Sequence, residues 1–359
     1  MSGSSFTNNG LSMKKIRLYP SGHEVECQQG ETVLAALEKA GYALPNNCRA
    51  GACGECKIKV RAGEFDQGMV LDMALAPEER EQGFGLMCMA KPLSELLEIE
   101  WGTEDAQPKL FPPRENVSFV VVERIERTRR IVELRLRPVG KPLRYWPGQY
   151  VQLNHPDNRT PPRAYSIANA SRPDGEISLQ IARVEGGGIS NWVHDSLKVG
   201  DRVKLSGPYG TFIGDPAAET PVLCLAAGTG LAPIMALAEA ALSRGYRQPV
   251  TVLFSAPTQG DLYDTGRLAL WQAKHRNFKF VRTLTQEQGE APLGRIPGIL
   301  PEMFPDLSQH SVYAAGSPEF VDACITAAKA LGAKEALIHT EGFFEQQAVP
   351  DTPSADRLL

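Results

Sequence analysis

Four cysteines with a fixed spacing constrain the fold of this chain more than any other feature of its sequence. Cys48, Cys53 and Cys56 form a C-x4-C-x2-C pattern, and Cys88 follows after 31 intervening residues. This spacing is typical of the plant-type [2Fe–2S] centre, in which four thiolates hold two irons. Three ligands would lie on one short loop and the fourth on a distant segment, so the cluster would tie the loop to its domain. The pattern predicts that these four cysteines are metal ligands.

Zinc, free thiols and a Rieske centre are the alternatives to this interpretation. Structural zinc sites usually contain two C-x2-C pairs, and this loop has one. A Rieske centre would replace two cysteines by histidine, yet no histidine lies between Cys48 and Cys88. Small residues in the loop would let the backbone wrap closely around a cluster: Gly51, Ala52 and Gly54. The other three cysteines follow strand or helix patterns and are expected to be structural: Cys27, Cys224 and Cys324.

The composition is that of an ordinary globular protein. Its 359 residues allow two to four domains, at roughly 100–200 residues each. With 42% hydrophobic and 22% charged residues, the chain as a whole is neither disordered nor a disulfide scaffold. A formal net charge of −4 argues against a nucleic-acid-binding protein. An odd number of cysteines, seven, and the absence of a secretion signal predict reduced thiols and a cytoplasmic location.

Charge and hydrophobic patterns divide the chain into units. Residues 13–101 contain 14 acidic and 10 basic side chains, whereas residues 102–359 contain 28 of each. Short strands separated by Gly and Pro turns then give way to strands that alternate with helices, which predicts a barrel followed by a parallel sheet. The predicted units are a disordered N-terminus (1–12), a cluster-binding unit (13–101), a linker (102–115), an antiparallel β-barrel (116–215), an α/β domain (216–344) and a polar tail (345–359).

The longest apolar stretch is not expected to span a membrane. Residues 221–242 contain one charged side chain, Glu239. Gly228, Gly230 and Pro233 interrupt the stretch in its middle. A buried strand, a tight turn and a helix fit this pattern better than a membrane helix, so no membrane association is predicted.

A flavin site is indicated by two short motifs in the predicted barrel. Arg163 begins an R-x-Y-S motif and has the geometry to contact a phosphate with two hydrogen bonds. Tyr165 could lie on an isoalloxazine ring, and the Ser166 hydroxyl could bond to flavin N5. A Gly-Gly-x-Ser sequence then opens a helix, where a phosphate is well placed. Taken alone, R-x-Y-S could equally be a solvated arginine and a barrel tyrosine. The candidate flavin-binding residues are Arg163, Ala164, Tyr165, Ser166, Gly187, Gly188 and Ser190.

A dinucleotide site is indicated where a buried strand meets a glycine-rich turn and a helix. The turn contains Gly228, Thr229 and Gly230, and Pro233 follows at the start of the helix. Glycine lets the backbone approach a pyrophosphate, and the helix N-terminus stabilises its charge. Proline is tolerated in the first helical turn because its missing N–H would have no intrahelical partner. The alternative is a glycine-rich turn of an α/β domain without a ligand.

Together these motifs resemble the reductase components of bacterial multicomponent oxygenases, such as those of benzoate dioxygenase, phenol hydroxylase and methane monooxygenase. The resemblance covers residues 14–344. It implies a multidomain fold with α+β, β and α/β parts: an N-terminal β-grasp [2Fe–2S] ferredoxin, an antiparallel β-barrel flavin domain and a C-terminal parallel-sheet nicotinamide-binding domain. In this family an N-terminal ferredoxin usually accompanies FAD, so FAD is the expected flavin.

The resemblance also implies roles for residues near the C-terminus. Glu341 and Phe343 would lie near the junction of flavin and nicotinamide, with Ser166 and Glu341 as the catalytic residues. Family members usually carry cysteine in a Tyr-x-Cys-Gly-x-Pro segment, and this chain has Ala315 at that position. A thiol could therefore not position the nicotinamide here, and hydride transfer could be slower.

NADH is the expected nicotinamide, and NADPH is less favoured. A 2′-phosphate is usually bound by a basic residue near the end of the second or third strand. The second strand ends without one, at Thr258. The third strand contains Arg282, which keeps NADPH open.

The function implied is an NADH-dependent electron-transfer reductase. Hydride would pass from NADH to FAD, and single electrons would pass through the [2Fe–2S] cluster to a partner oxygenase component. The acidic N-terminal unit would dock on a basic patch of that partner, so high salt should slow electron transfer. Two other interpretations of the function remain open. The same electron path could serve another acceptor, such as a deoxysugar dehydrase, or the protein could be a redox-sensing binding module without turnover.

Overall fold

The computed structural model describes residues 13–157, 160–287 and 294–343. The predicted disordered N-terminus (1–12) and polar tail (345–359) lie outside the described residues. Three successive units of different architecture follow one another along the chain. Each has a sheet of its own.

The N-terminal unit is a β-grasp fold. Its first strand pairs in parallel with its last one and antiparallel with the second, which is the central feature of that fold. Thr32 caps the helix as predicted, because its side chain accepts a hydrogen bond from the Ala35 N–H. The five-stranded sheet has the order β2-β1-β7-β3-β5, and β4 pairs with β6. The elements are β1 (Lys14–Tyr19), β2 (Glu24–Cys27), α1 (Val33–Lys39), β3 (Lys57–Ala62), β4 (Phe65–Asp66), α2 (Pro77–Glu81), β5 (Phe84–Leu86), β6 (Lys91–Pro92) and β7 (Leu96–Glu100).

The middle unit is an antiparallel six-stranded barrel. A bridge between Ile167 and Leu179 joins the two edge strands and so closes the sheet. The strand order is β11-β10-β13-β8-β9-β12, and the inward side chains of these strands form one apolar core. The elements are β8 (Arg114–Glu126), β9 (Ile131–Pro138), β10 (Tyr150–Asn154), β11 (Arg163–Ser166), β12 (Ile177–Ala182), α3 (Gly188–Asp195) and β13 (Arg202–Tyr209).

The C-terminal unit is a parallel sheet with the order β16-β15-β14-β17-β18. The chain runs outward from β14 to one edge and then returns to β17 beside it. In open parallel sheets, ligands bind at such a switch in strand order. The elements are β14 (Val222–Ala227), α4 (Leu231–Ser243), β15 (Val250–Ala256), α5 (Thr265–Lys274), β16 (Phe278–Leu284), α6 (Ile296–Met303), β17 (Ser311–Gly316), α7 (Pro318–Ala330) and β18 (Ile338–Gly342).

The apolar stretch at residues 221–242 forms β14, a tight turn and α4, as the sequence predicts. In the described part of the chain, no helix has the length and apolar character needed to cross a bilayer.

The predicted linker is held against both neighbouring units. Lys109 and Leu110 each donate a backbone hydrogen bond to the Gly41 carbonyl, at 2.8 and 2.9 Å. The Trp146 indole donates to the Lys109 carbonyl at 2.9 Å. The first barrel strand already begins at Arg114, within the predicted linker, because the end of this segment pairs with β13. The linker therefore connects the two units through specific contacts.

Candidate active site

The four predicted cluster ligands meet as two pairs of thiols. Cys48 is hydrogen-bonded to Cys53, and Cys56 to Cys88. Among the residues that the structure describes, no three His, Cys, Asp or Glu side chains are grouped to hold one metal ion. Two pairs of thiols suit a cluster of two irons better than they suit a single tetrahedral zinc, which needs four converging ligands.

Backbone N–H groups of the loop point at the sulfur atoms. Ala50 and Ala52 each donate to the Cys48 sulfur at 3.4 Å. The Cys88 N–H donates to the Cys56 sulfur, also at 3.4 Å. The hydrogen bond from Cys53 and the backbone donors lower the pKa of Cys48, whereas the hydrogen bonds within each pair and burial raise the pKa of Cys53 and Cys56. The N–H groups aimed at the Cys48 and Cys56 sulfur atoms would stabilise thiolate, which is the form that binds metal.

The candidate flavin residues lie on β11 and at the start of α3. Across β11, Tyr165 pairs with Val151 and Ser166 with Tyr150 of the neighbouring strand. A Cβ at Gly188, the first residue of α3, would lie 2.6 Å from the Thr160 Cγ2 atom, so a side chain fits there only if Thr160 moves. Glycine at a helix start lets a phosphate approach the backbone closely.

Ser166 and Glu341 come together although 175 residues separate them in the chain. The Ser166 hydroxyl donates to Glu341 Oε1 at 3.3 Å, and both side chains are buried. Glu341 Oε2 is buried and has no hydrogen-bond partner among the described residues. Burial raises the pKa of Glu341 to about 8, against the hydrogen bond from Ser166, which lowers it. The carboxyl group is therefore mostly protonated at neutral pH, and one of its oxygens is left for a bound group.

The candidate dinucleotide turn lies at the switch in strand order. Residues 228–230 form a short 3-10 turn between β14 and α4, and Pro233 is in the first turn of α4. Gly228 has a φ of +54°, in the left-handed region that favours glycine. A Cβ at Gly230 would lie 2.0 Å from the Ala315 carbonyl oxygen. The turn therefore packs directly against the end of β17, and only glycine fits at position 230.

Gly230→Ala is the substitution expected to damage this turn most selectively. The added methyl group must displace the backbone at Ala315 or the turn itself, so NADH binding should weaken by roughly tenfold or more. Gly266→Ala is the matched control, because a Cβ at Gly266 meets no atom within 4 Å. Stopped-flow reduction of the flavin over a range of NADH concentrations measures the effect. Equal NADH affinity in both variants would contradict the role given to the turn.

The last two strands of this sheet in chain order, β17 and β18, bring the remaining candidates together. Ala315 is the register partner of Glu341. The Phe343 N–H donates to the Gly316 carbonyl at 2.8 Å. Ala315 is fully buried, so this position presents only a small apolar side chain near Glu341. Glu341 lies on β18, a strand that the sequence patterns did not predict.

The cysteine loop contacts the other two units at the same place. The Asn47 side chain donates to the Gly342 carbonyl at 2.8 Å. Arg49 lies over the Tyr209 ring, 4.5 Å from its centroid, and forms a 2.6 Å ion pair with buried Glu38. Sequence reasoning missed these residues, because nothing in a single sequence relates residue 47 to residue 342. The only sequence feature that could have pointed to Asn47 and Arg49 is their position next to Cys48 in the cysteine loop.

A buried polar network links the barrel to the dinucleotide turn and was also missed. The Tyr263 hydroxyl lies 3.0 Å from the Gly228 carbonyl and 3.1 Å from Gln180 Oε1. Gln180 donates to Asp264 at 2.7 Å, and Arg127 lies 3.4 Å from the same carboxylate. Asp264 has a φ of +53°, a conformation that costs free energy outside glycine. The network holds the turn in a fixed relation to the barrel.

These features define a class of protein: a three-domain oxidoreductase that combines an iron–sulfur ferredoxin unit with a flavin barrel and a nicotinamide domain. Comparison with known families agrees. Residues 16–93 match the 2Fe-2S iron-sulfur cluster binding domain, residues 116–213 the oxidoreductase FAD-binding domain and residues 224–325 the oxidoreductase NAD-binding domain. The expected cofactors, a [2Fe–2S] cluster, FAD and a nicotinamide nucleotide, are thereby confirmed.

Curated relatives are similar over nearly the whole chain. The reductase subunit of an aromatic O-demethylase from an Amycolatopsis species is 36% identical over 328 residues, covering 90% of this chain and 96% of the relative. The reductase component of phenol 2-monooxygenase from a Pseudomonas species is 32% identical, covering 87% and 89%. The crystal structure of an Amycolatopsis cytochrome P450 reductase superposes with a TM-score of 0.83 at 32% identity, covering 92% and 98%. The chain belongs to the family of flavin- and iron–sulfur-dependent reductase components of oxygenase systems, as the sequence motifs predicted.

Proposed function

We propose that this reductase takes electrons from NADH and delivers them one at a time to an oxygenase component. One observation carries the proposal: the cysteine loop, the flavin strand and the nicotinamide sheet meet at residues 341–342. Glu341 accepts from Ser166 of the barrel, and the next residue accepts from Asn47 of the cysteine loop. When bound, FAD takes up a hydride and releases single electrons, and the cluster carries one electron at a time.

The candidate residues at the domain junction, the two phosphate sites and the cluster have proposed roles in this scheme. Ser166 orients the Glu341 carboxyl group, and this group holds a proton beside the flavin ring. The glycine-rich turn and the start of α4 bind the dinucleotide phosphates, where N–H groups and the helix dipole favour negative charge. The compact start of α3 and the arginine of the R-x-Y-S motif bind the phosphates of FAD. The four cysteines hold the cluster: Cys48, Cys53, Cys56 and Cys88.

NADH is expected to be preferred over NADPH because acidic side chains lie beyond the end of β15. The Asp261 carboxylate accepts from Thr258 Oγ1 at 2.7 Å, and Glu287 accepts from the Gln259 N–H. Carboxylates here would repel a 2′-phosphate and accept a hydrogen bond from a 2′-hydroxyl. We expect kcat/KM for NADH to exceed that for NADPH by roughly tenfold or more, about 1.4 kcal/mol. Steady-state reduction of ferricyanide measures both values, and equal values would refute the assignment.

An anaerobic titration with NADH tests the electron path. In the protein that holds both cofactors, flavin and iron–sulfur absorbance should both bleach. Bleaching of the flavin alone would show that electrons do not reach the cluster. No bleaching with either NADH or NADPH would exclude a reductase.

We further propose that the protein acts in the cytoplasm, where NADH is available and thiols stay reduced. None of the seven cysteines, all of which the structure describes, forms a disulfide, which fits a reducing compartment. The alternative acceptor, a deoxysugar dehydrase, is tested by mixing the reduced protein with an oxygenase component and, separately, with a dehydrase. Oxygenase turnover supports the proposal, and turnover of a dehydrase alone would refute it.

A further inference from the structure

Three large apolar side chains are exposed on one loop of the ferredoxin unit. The loop, residues 67–76, is here called the 67–76 segment. Met69 and Met73 are each 86% exposed, and Leu71 is 51% exposed. Folded proteins rarely leave neighbouring large apolar side chains in water unless they serve binding. The flavin and nicotinamide domains do not cover them.

The 67–76 segment is joined directly to the cysteine loop. The Leu71 N–H donates to the Gly51 carbonyl at 3.0 Å. Gly51 in turn donates its own N–H to the Cys88 sulfur. A Cβ on Gly54 would lie 3.3 Å from the Ala74 carbonyl oxygen, so the two loops also pack backbone to backbone there. A molecule seated on the exposed side chains would thus be separated from a cluster ligand by one residue and two hydrogen bonds.

The two contact regions of the cysteine loop are different. Asn47 and Arg49 face the barrel and β18, as described above. Gly51 and Gly54 face the 67–76 segment. Cys53, between these two glycines, is the one cluster ligand that is not buried. One part of the loop is therefore placed to receive electrons from the flavin, and the next part is open to an acceptor.

The surroundings of the exposed side chains are acidic. Asp66 and Glu78 are exposed on either side, and the Asp72 side chain is 75% exposed although it pairs with Arg80 at 2.6 Å. The whole unit, residues 13–101, has 14 acidic and 10 basic side chains, a balance of −4. The surface therefore combines an apolar centre with a negative rim. Its complement is a protein face with an apolar centre and a basic rim.

We propose that Met69, Leu71 and Met73 form the docking surface for the electron-accepting oxygenase component, which presents a basic rim around its own redox centre. The proposal rests on the proposed function and names where the partner binds. Redox partners form small, short-lived interfaces, so three side chains with a charged rim are enough to centre one. Methionine suits such a contact because its flexible thioether adapts to different partner surfaces.

Cytochrome c, a basic protein that accepts one electron, is the probe for this surface. The triple substitution Met69→Gln, Leu71→Gln and Met73→Gln removes the apolar centre without changing charge. Since the three side chains are exposed, the fold should be retained. We expect the KM for cytochrome c to rise roughly tenfold, the equivalent of about 1.4 kcal/mol of binding. Ferricyanide reduction and anaerobic bleaching of flavin and cluster by NADH should remain at the wild-type level.

The matched controls are exposed apolar residues on the other two domains. Val199 is 60% exposed and Leu270 is 50% exposed. The variants Val199→Gln and Leu270→Gln should leave the KM for cytochrome c unchanged. In the wild type, this KM should rise with ionic strength because the acidic rim is screened.

Methionine oxidation gives a direct readout of contact. A brief exposure to oxidant, followed by mass spectrometry, should convert Met69 and Met73 to sulfoxides in the free protein. Cytochrome c should protect both, while Met13, which is 45% exposed and precedes β1, should be oxidised equally with and without it.

Three results would overturn the docking surface: an unchanged KM in the triple variant, no protection of Met69 and Met73, or a wild-type dimer that the triple substitution dissociates. The last would assign these side chains to a contact between two copies of the chain. Failure of the proposed function looks different, because the wild-type protein would then not bleach with NADH at all.

Discussion

Cys53→Ser is expected to lower NADH-driven reduction of cytochrome c by roughly 100-fold or more, because loss of even a supporting group at a metal site costs about 10–100-fold. Cys53 is chosen because it is the least buried of the four ligands, so the change disturbs the core of the ferredoxin unit least. Flavin reduction by NADH should persist, since the Ser166–Glu341 pair and the dinucleotide turn lie outside this loop. The variant would thus separate hydride uptake from one-electron delivery.

The measurement combines iron content, the visible spectrum and two acceptor assays. Ferricyanide, which is small, should still be reduced by the flavin, whereas cytochrome c should not be reduced at the wild-type rate. Cys324→Ala is the control, since Cys324 is buried in α7 of the nicotinamide domain. Full cytochrome c activity in Cys53→Ser, with its cluster lost, would show that electrons leave from the flavin and would remove the ferredoxin unit from the path.

Glu341→Ala is expected to slow flavin reduction by NADH by roughly 100-fold, the lower end of the range for a positioned acid or base. The substitution removes the acceptor of the Ser166 hydroxyl and the proton-holding group at the junction. Glu341→Gln keeps a neutral hydrogen-bonding group and should retain more of the rate at pH 7. Glu335→Gln is the control, because this carboxylate is 80% exposed in the same domain.

The pH profile distinguishes Glu341 from a merely structural residue. With its pKa raised to about 8, the carboxyl is neutral at pH 7 and becomes charged as the pH rises through 8. A buried negative charge would oppose hydride transfer to the ring, so the rate should fall above pH 8. Glu341→Gln should lose that fall. A wild-type rate that does not change between pH 7 and pH 9.5 would contradict the proposed role.

The ionisation of Glu341 should also lower the stability of the folded protein as the pH rises. Glu341 ionises near its ordinary pKa of 4.5 in the unfolded chain and near 8 in the folded one. Between these values the folded state binds more protons, so the free energy of unfolding decreases as the pH rises from 4.5 to 8. Glu341→Gln removes this contribution. Thermal unfolding midpoints at pH 6 and pH 8.5 should therefore differ less in the variant than in the wild type.

Much of the fold was predictable because its signals are local. The alternating pattern of residues 57–60 and the Thr32 cap each depend on neighbours within a few positions, and the structure contains both. The buried strand, glycine turn and helix at residues 222–243 were predictable for the same reason. Strand β18 was missed, since three of its five residues are polar, His339, Thr340 and Glu341. Of these three side chains only Glu341 is buried, and the pairing of β18 with β17 holds it there.

The sequence by itself determined the cofactor chemistry: the cysteine spacing predicts a cluster of two irons, and the glycine-rich turns predict phosphate sites. Both follow from covalent geometry and residue type within a short stretch of chain. Only the tertiary structure decided where these sites meet. Two hydrogen bonds join distant segments of the chain, one from Ser166 to Glu341 and one from Asn47 to Gly342. The exposure of Met69 likewise follows from how the domains pack, because in the described structure no other domain covers it. Such contacts arise from the packing of three domains against one another, which local patterns do not encode.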